Sequence, residues 1–178
     1  MSSGTDLQRR KGWSARDIAV TGTMVALLEI SKRALDLLPN IELVTFLFIM
    51  FTLFYGWKTL AAALAFATFE CVYFGFGPWT LTYYYVWPVL IFLVMAARKK
   101  GRTEWLFYAT LSGAYGLFFG YLCSLYTLVL SGPKVQFAWW VAGIPYDIVH
   151  CIGNFIICLV LFKPMHTLMA SLRARDLL

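Results

Sequence analysis

Charge is scarce in this sequence. Of 178 residues only 13% are Asp, Glu, Lys or Arg, while 61% are hydrophobic. Soluble domains carry about 25% charged and about 45–50% apolar residues. Together with a mean hydropathy of +0.71, that balance excludes an ordinary soluble domain. The four cysteines, Cys71, Cys123, Cys151 and Cys158, lie in apolar segments and never at Cys-x-x-Cys spacing. They read as buried thiols, not as a zinc or redox centre. No Gly-x-x-x-x-Gly-Lys-Ser/Thr loop is present, so the chain carries no ATPase site of its own. His-Glu-x-x-His is absent too, and the two histidines, His150 and His166, stand 16 positions apart, a poor zinc pair. Asp147 and His150 could belong to a hydrolytic triad, but no glycine-framed serine accompanies them. No catalytic residue, metal or cofactor is therefore expected. Residues 1–11 are polar and lack the apolar core of a cleavable signal.

What the sequence has is apolar segments. Six of them span about 16–38, 43–55, 59–76, 81–97, 104–130 and 139–162. Pro39-Asn40, Gly56-Trp57-Lys58, the Gly75–Pro78 turn, the basic Arg98–Arg102 loop and Ser131-Gly132-Pro133-Lys134 separate them. A basic leader, residues 1–15, precedes this 16–168 membrane domain, and a basic tail, residues 169–178, follows it. With the N-terminus inside, the inner loops hold Arg9, Arg10, Lys11, Arg16, Lys58, Arg98, Lys99, Lys100, Arg102, Lys163, Arg173 and Arg175, whereas the outer loops hold Lys134. The positive-inside rule then predicts an all-α integral membrane bundle of six transmembrane helices with both termini cytoplasmic. The net charge of +6 is accounted for by topology and needs no nucleic acid.

The polar residues left inside the spans are the candidates for a site. Asp147, His150 and Asn154 follow at i, i+3 and i+7 and share one helical face beneath Trp139 and Trp140. Ionisable groups in a spanning helix face protein or a water-filled cavity. Glu70, with Tyr73 one turn on, is a second such position, and Lys32, Arg33 and Asp36 make the end of the first segment unfit for lipid. Asn40, Glu42, Trp79, Tyr84 and Trp87 fall in the same outer half. Aromatic walls with a few polar groups are how small-molecule cavities are built. The structural alternative is that the aromatics anchor helix ends and the charges tie helices together. On the first helix Ala19, Gly22 and Ala26 form a smooth patch suited to close approach of another helix, either within the bundle or from a partner.

Three phrases carry a family resemblance over residues 17–168: Leu38-Pro39-Asn40-Ile41-Glu42-Leu43-Val44-Thr45, Tyr84-Tyr85-Val86-Trp87-Pro88, and the run from Trp139 to His150. With the six-segment pattern, they make the chain resemble the substrate-binding S component of an energy-coupling factor (ECF) vitamin transporter. That family typically has Ala-x-x-x-Ala on helix one, where this chain reads Gly22-x-x-x-Ala26. The resemblance implies a bacterial plasma-membrane protein that captures a vitamin from outside. It would deliver that cargo through a transmembrane coupling subunit and two cytoplasmic ATPases. Cobalamin is the first expectation for the vitamin, with pyridoxamine and pantothenate behind it. The competing class is a six-span scaffold of a bacterial envelope or cell-shape complex. A third, a small intramembrane enzyme using Asp147 and His150, predicts turnover.

Overall fold

A computed structural model describes residues 13–38 and 40–175. The leader up to residue 12, the helix break at Pro39 and Asp176 in the tail lie outside the described residues. Among the described residues the fold is all-helical: α1 (Ala15–Ala34), α2 (Val44–Tyr55), α3 (Thr59–Phe74), α4 (Pro78–Lys99), α5 (Trp105–Ser131) and α6 (Pro133–Ala174). Ser14 starts α1 through a capping box, its hydroxyl accepting the Asp17 N–H at 3.1 Å while Asp17 Oδ2 accepts the Ser14 N–H at 3.0 Å. Thr80 does the same at α4, accepting the Gly77 N–H at 2.9 Å beside Pro78.

Among the described residues four stretches are long and apolar enough to cross a membrane: Val44–Phe74, Pro78–Lys99, Trp105–Ser131 and Pro133–Ala174. The chain is thus a multi-pass, all-helical membrane protein. The first stretch is not one rod. Gly56 takes φ +60°, a left-handed conformation that suits glycine, and a single 3-10 turn at Gly56–Lys58 reverses the chain. Phe48 and Phe66 consequently meet with ring centroids 6.0 Å apart. In one continuous helix they would be about 27 Å apart. α2 alone is about 18 Å long by helical rise, short of a hydrocarbon core of about 30 Å. Its residues from Val44 to Thr52 are all buried, and its neighbours are α1, α3, α4, α5 and α6. It is the central helix, shielded from lipid, so its length need not match the bilayer.

Contacts fix the alternation of the remaining helices. At one end Lys58 pairs with Asp17 at 2.5 Å, and Arg173 donates to the Phe54 carbonyl at 3.4 Å. The start of α1, the α2–α3 turn and the end of α6 therefore share one end of the bundle. At the other end Lys32 and Arg33 of α1 meet Glu70 of α3.

Two expected boundaries move. The first segment, expected to reach residue 38, leaves helical geometry after Ala34, and the backbone turns through Asn40 at φ +59°; Asn is among the few residues that tolerate this. The last segment does not stop at Phe162. α6 runs through Pro145 and Pro164 to Ala174, and Met169 is buried against the core. A proline removes only one intrahelical bond, and packing against neighbouring helices holds the rest.

α5 and α6 form the tightest pair. Gly113 lies against Cys151 and Phe155, Gly116 against the backbone of His150 and Cys151, and Gly120 against Asp147. Each turn up α5 is a turn down α6, and the missing side chains are what lets the two backbones close.

Candidate functional site

The end of the bundle where α1 meets α3 holds a cavity of about 220 Å³. Its wall is aromatic: Phe66 of α3, Tyr83 and Trp87 of α4, and Phe119 of α5. These rings order one another, with Phe66 stacked on Tyr83 at 5.8 Å, Tyr83 edge-on to Trp87 at 5.5 Å, and Trp87 5.6 Å from Phe119. Its polar rim is Lys32, Asp36, Asn40, Glu42 and His150. The α1–α2 connection forms one side of it. Asn40 and Ile41 of this loop lie over Gly153 of α6, so the loop is laid across the last helix.

Glu42 works in two directions. Its Oε2 accepts the Thr45 N–H at 2.9 Å and tethers the start of α2, while Oε1 lies 3.1 Å from His150 Nε2. His150 in turn packs edge-on against Phe119 at 4.9 Å. One hydrogen bond thereby joins the covering loop to α6 across the cavity mouth.

Behind the rim sits a charge cluster. Glu70 is fully buried, and its two oxygens accept separately from Lys32 and, at 2.8 Å, from Arg33. The Lys32 ammonium also lies 4.9 Å from the Tyr83 ring centre and 5.5 Å from those of Trp79 and Phe74. Arg33 is 4.6 Å from the Tyr73 and Phe74 rings. Carboxylate and ring quadrupoles together compensate two cations that lipid would not accept. With Lys32 bound to Glu70, the charged rim groups left to a ligand are Asp36, 3.7 Å from Arg33 and half exposed, and the Glu42–His150 pair.

The face carrying Asp147, His150 and Asn154 points inward as expected, at 5%, 4% and 1% exposure. Its three members do different things. Asp147 Oδ1 accepts the Gly120 N–H at 2.9 Å and clasps α5 to α6. Only His150 reaches the cavity, and Asn154 is buried one turn further on. Asn40, Glu42 and Trp87 line the cavity; Glu70 stands directly behind it, and Trp79 helps enclose Lys32. Tyr73 is at the outer edge under Arg33. Tyr84 turns away to Thr68, with 2.9 Å between hydroxyls. Trp139 and Trp140 pack on Tyr126 and Tyr121 of α5, remote from the cavity wall.

Sequence reasoning did not single out Phe66 or Phe119, and it reached Tyr83 only as part of the aromatic Tyr83–Trp87 cluster. A signal for two of them was present. Tyr83 is four residues before Trp87 and Phe66 four before Glu70, so each shares a face with a residue already singled out. The patch at Ala19, Gly22 and Ala26 is exposed, and a Cβ built on Gly22 would meet nothing within 4 Å. Packing inside the bundle does not account for it.

Comparison with protein-family models, curated proteins and solved structures finds no match, so the chemistry of the site is argued from its own residues.

Proposed function

We propose that this chain is a vitamin-binding membrane subunit of the S-component type, with six spans, both termini in the cytoplasm and its cavity opening to the outside of a bacterial plasma membrane. The observation that carries the reading is an aromatic cavity closed on one side by a loop that Glu42 and His150 tie to α6. The alternation of six helices and the collection of Lys58, Arg98, Arg102, Lys163 and Arg173 at the opposite end support the orientation.

Size and charge narrow the cargo. At about 220 Å³ the cavity falls below the usual range of about 300–1,000 Å³ for ligand pockets. It suits a small ligand, which favours the single-ring pyridoxamine and then the acyclic pantothenate over the much larger corrin of cobalamin. Asp36 and Glu42 on the rim favour a ligand with an amine, which puts pyridoxamine first. The ring would stack in the aromatic wall and the amine would meet a rim carboxylate. In this reading a coupling subunit and two ATPases power release inside.

The test is a thermal-shift screen of the detergent-purified chain against water-soluble vitamins. A ligand that binds only the folded state, at ~100 times its Kd, adds about 2.7 kcal/mol of stability. Pyridoxamine is expected to give such a shift and His150→Ala to remove it. A shift with cobalamin alone would require the loop to open widely and would reject the amine assignment. A folded, ligand-free preparation that responds to no vitamin would leave the envelope scaffold as the better account.

The exposed patch on α1 gives a second test of the same reading. Gly22→Leu is expected to leave the thermal midpoint of the isolated chain unchanged or raised by a few °C, because a Cβ there meets nothing within 4 Å and leucine favours helix over glycine. The same substitution should abolish co-purification with coupling and ATPase subunits. Undiminished co-purification would show that the patch faces only lipid.

A further inference from the structure

A larger cavity, of about 570 Å³, lies at the opposite, basic end of the bundle, between the ends of α2 and α4, the start of α5 and the final third of α6. Four permanent cations border it, Arg98, Arg102, Lys163 and Arg173, with His166 beside them and Glu104 as the single carboxylate. Among the described residues Arg98, Lys163 and Arg173 form no ion pair, and Arg102 reaches Glu104 only at 4.0 Å.

Uncharged neighbours place these cations. The Lys163 ammonium lies 4.4 Å from the Trp105 ring centre, and Arg173 donates to the Phe54 carbonyl. His166 stacks on Phe162 at 5.7 Å and also meets Phe54 at 5.1 Å. The result is a cationic mouth over an apolar floor that includes Tyr108 and Phe162, both buried. Like charges gathered without counter-charges repel one another, and an anion bound among them relieves that repulsion. Guanidinium forks and an ammonium suit the tetrahedral oxygens of phosphate. Tryptophans such as Trp105 are enriched at the membrane–water interface, where basic pockets between spanning helices take lipid headgroups.

We propose that this cavity is a binding site for a phosphate-bearing anion, its phosphate held by Arg102 and Lys163 with Arg98 and Arg173 flanking. Two sources offer that chemistry, an anionic phospholipid headgroup and a free phosphate compound. The apolar floor gives the lipid a place for the first part of its acyl chains. The site is separate from the vitamin cavity and does not depend on what that cavity binds.

The experiment takes the full chain, purified in detergent and stripped of lipid. Its thermal midpoint is followed during titration with phosphatidylglycerol micelles, with phosphatidylcholine micelles and with inorganic phosphate. Phosphatidylglycerol is expected to raise the midpoint where phosphatidylcholine does not. The double variant Arg102→Gln/Lys163→Gln should raise the half-saturating phosphatidylglycerol concentration about tenfold or more. The charge-matched double Lys99→Gln/Lys100→Gln, at the same end but outside the cavity, should change it by less than about twofold. Protection by inorganic phosphate as well would show that the headgroup suffices. Protection by the lipid alone would show that the floor is needed too, and either result supports the site. Equal weakening by the two double variants would reduce the effect to diffuse attraction and overturn it, as would the absence of any shift with both phosphatidylglycerol and phosphate. If the first double variant melts early without lipid, the single Arg102→Gln replaces it, since that side chain is 55% exposed.

Discussion

Glu70→Ala is expected to cost about 3–5 kcal/mol of stability, the range seen when one member of a buried ion pair is removed. Glu70 is fully enclosed, and its two oxygens receive Lys32 and Arg33 separately. Truncation leaves two cations on α1 with rings around them, and the nearby anions that remain are Glu29 and the half-exposed Asp36, 3.4 and 3.7 Å from Arg33. Glu70→Gln keeps the shape and an acceptor oxygen but not the charge, and should fall between wild type and alanine. Thermal or denaturant unfolding in detergent measures both. Because Lys32 and Arg33 are only 19% and 30% exposed, raising the salt concentration should rescue the alanine variant only in part. A loss below about 1 kcal/mol would mean that water compensates the cations and that α1 is not fastened to α3 through this residue.

Gly116→Ala is expected to be nearly as damaging for a different reason. A Cβ there would stand 2.8 Å from the His150 carbonyl oxygen and 3.0 Å from the Cys151 nitrogen. Both obstacles are backbone, so no rotamer change relieves them and α5 and α6 must separate. Overpacking of this kind costs about 1–3 kcal/mol, occasionally more. Displacing the backbone at His150 also moves its ring away from Glu42, so ligand affinity should fall together with the midpoint. Gly22→Ala is the control. It adds the same methyl where nothing lies within 4 Å, and there alanine's better helix propensity should make the change neutral or stabilising by up to about 1 kcal/mol. Equal effects at the two positions would contradict the close approach of α5 and α6.

Much of the architecture was legible because lipid and helix each impose a simple pattern. Proline, glycine and charge runs marked the turns, and the observed helices α2 to α5 begin and end within about three residues of the expected positions. The inward face at Asp147, His150 and Asn154 followed from spacing alone. Adjacent aromatics were harder. Tyr83 and Tyr84 are alike in composition, and only the helical phase relative to Trp87 separates the one in the wall from the one that turns to Thr68. Trp139 and Trp140 could be read as anchor or as wall, since tryptophan serves equally as both, and the structure packs them on Tyr126 and Tyr121 of α5. The pairing of Glu70 with Lys32 and Arg33 crosses 37 and 38 positions. No local pattern reports it, because it depends on α1 and α3 running parallel beside the central helix.

The position of His150 has a consequence for the order in which this protein comes into being. The cavity takes Lys32 from α1 and His150 from α6, the earliest and the latest of the described helices in chain order. α1, α3, α4 and α5 can pack around α2 while the mouth still lacks the partner that Glu42 needs. The Glu42–His150 link across the cavity mouth thus forms only after α6 has been made. A chain stalled before α6 would sit in the membrane with that mouth still open.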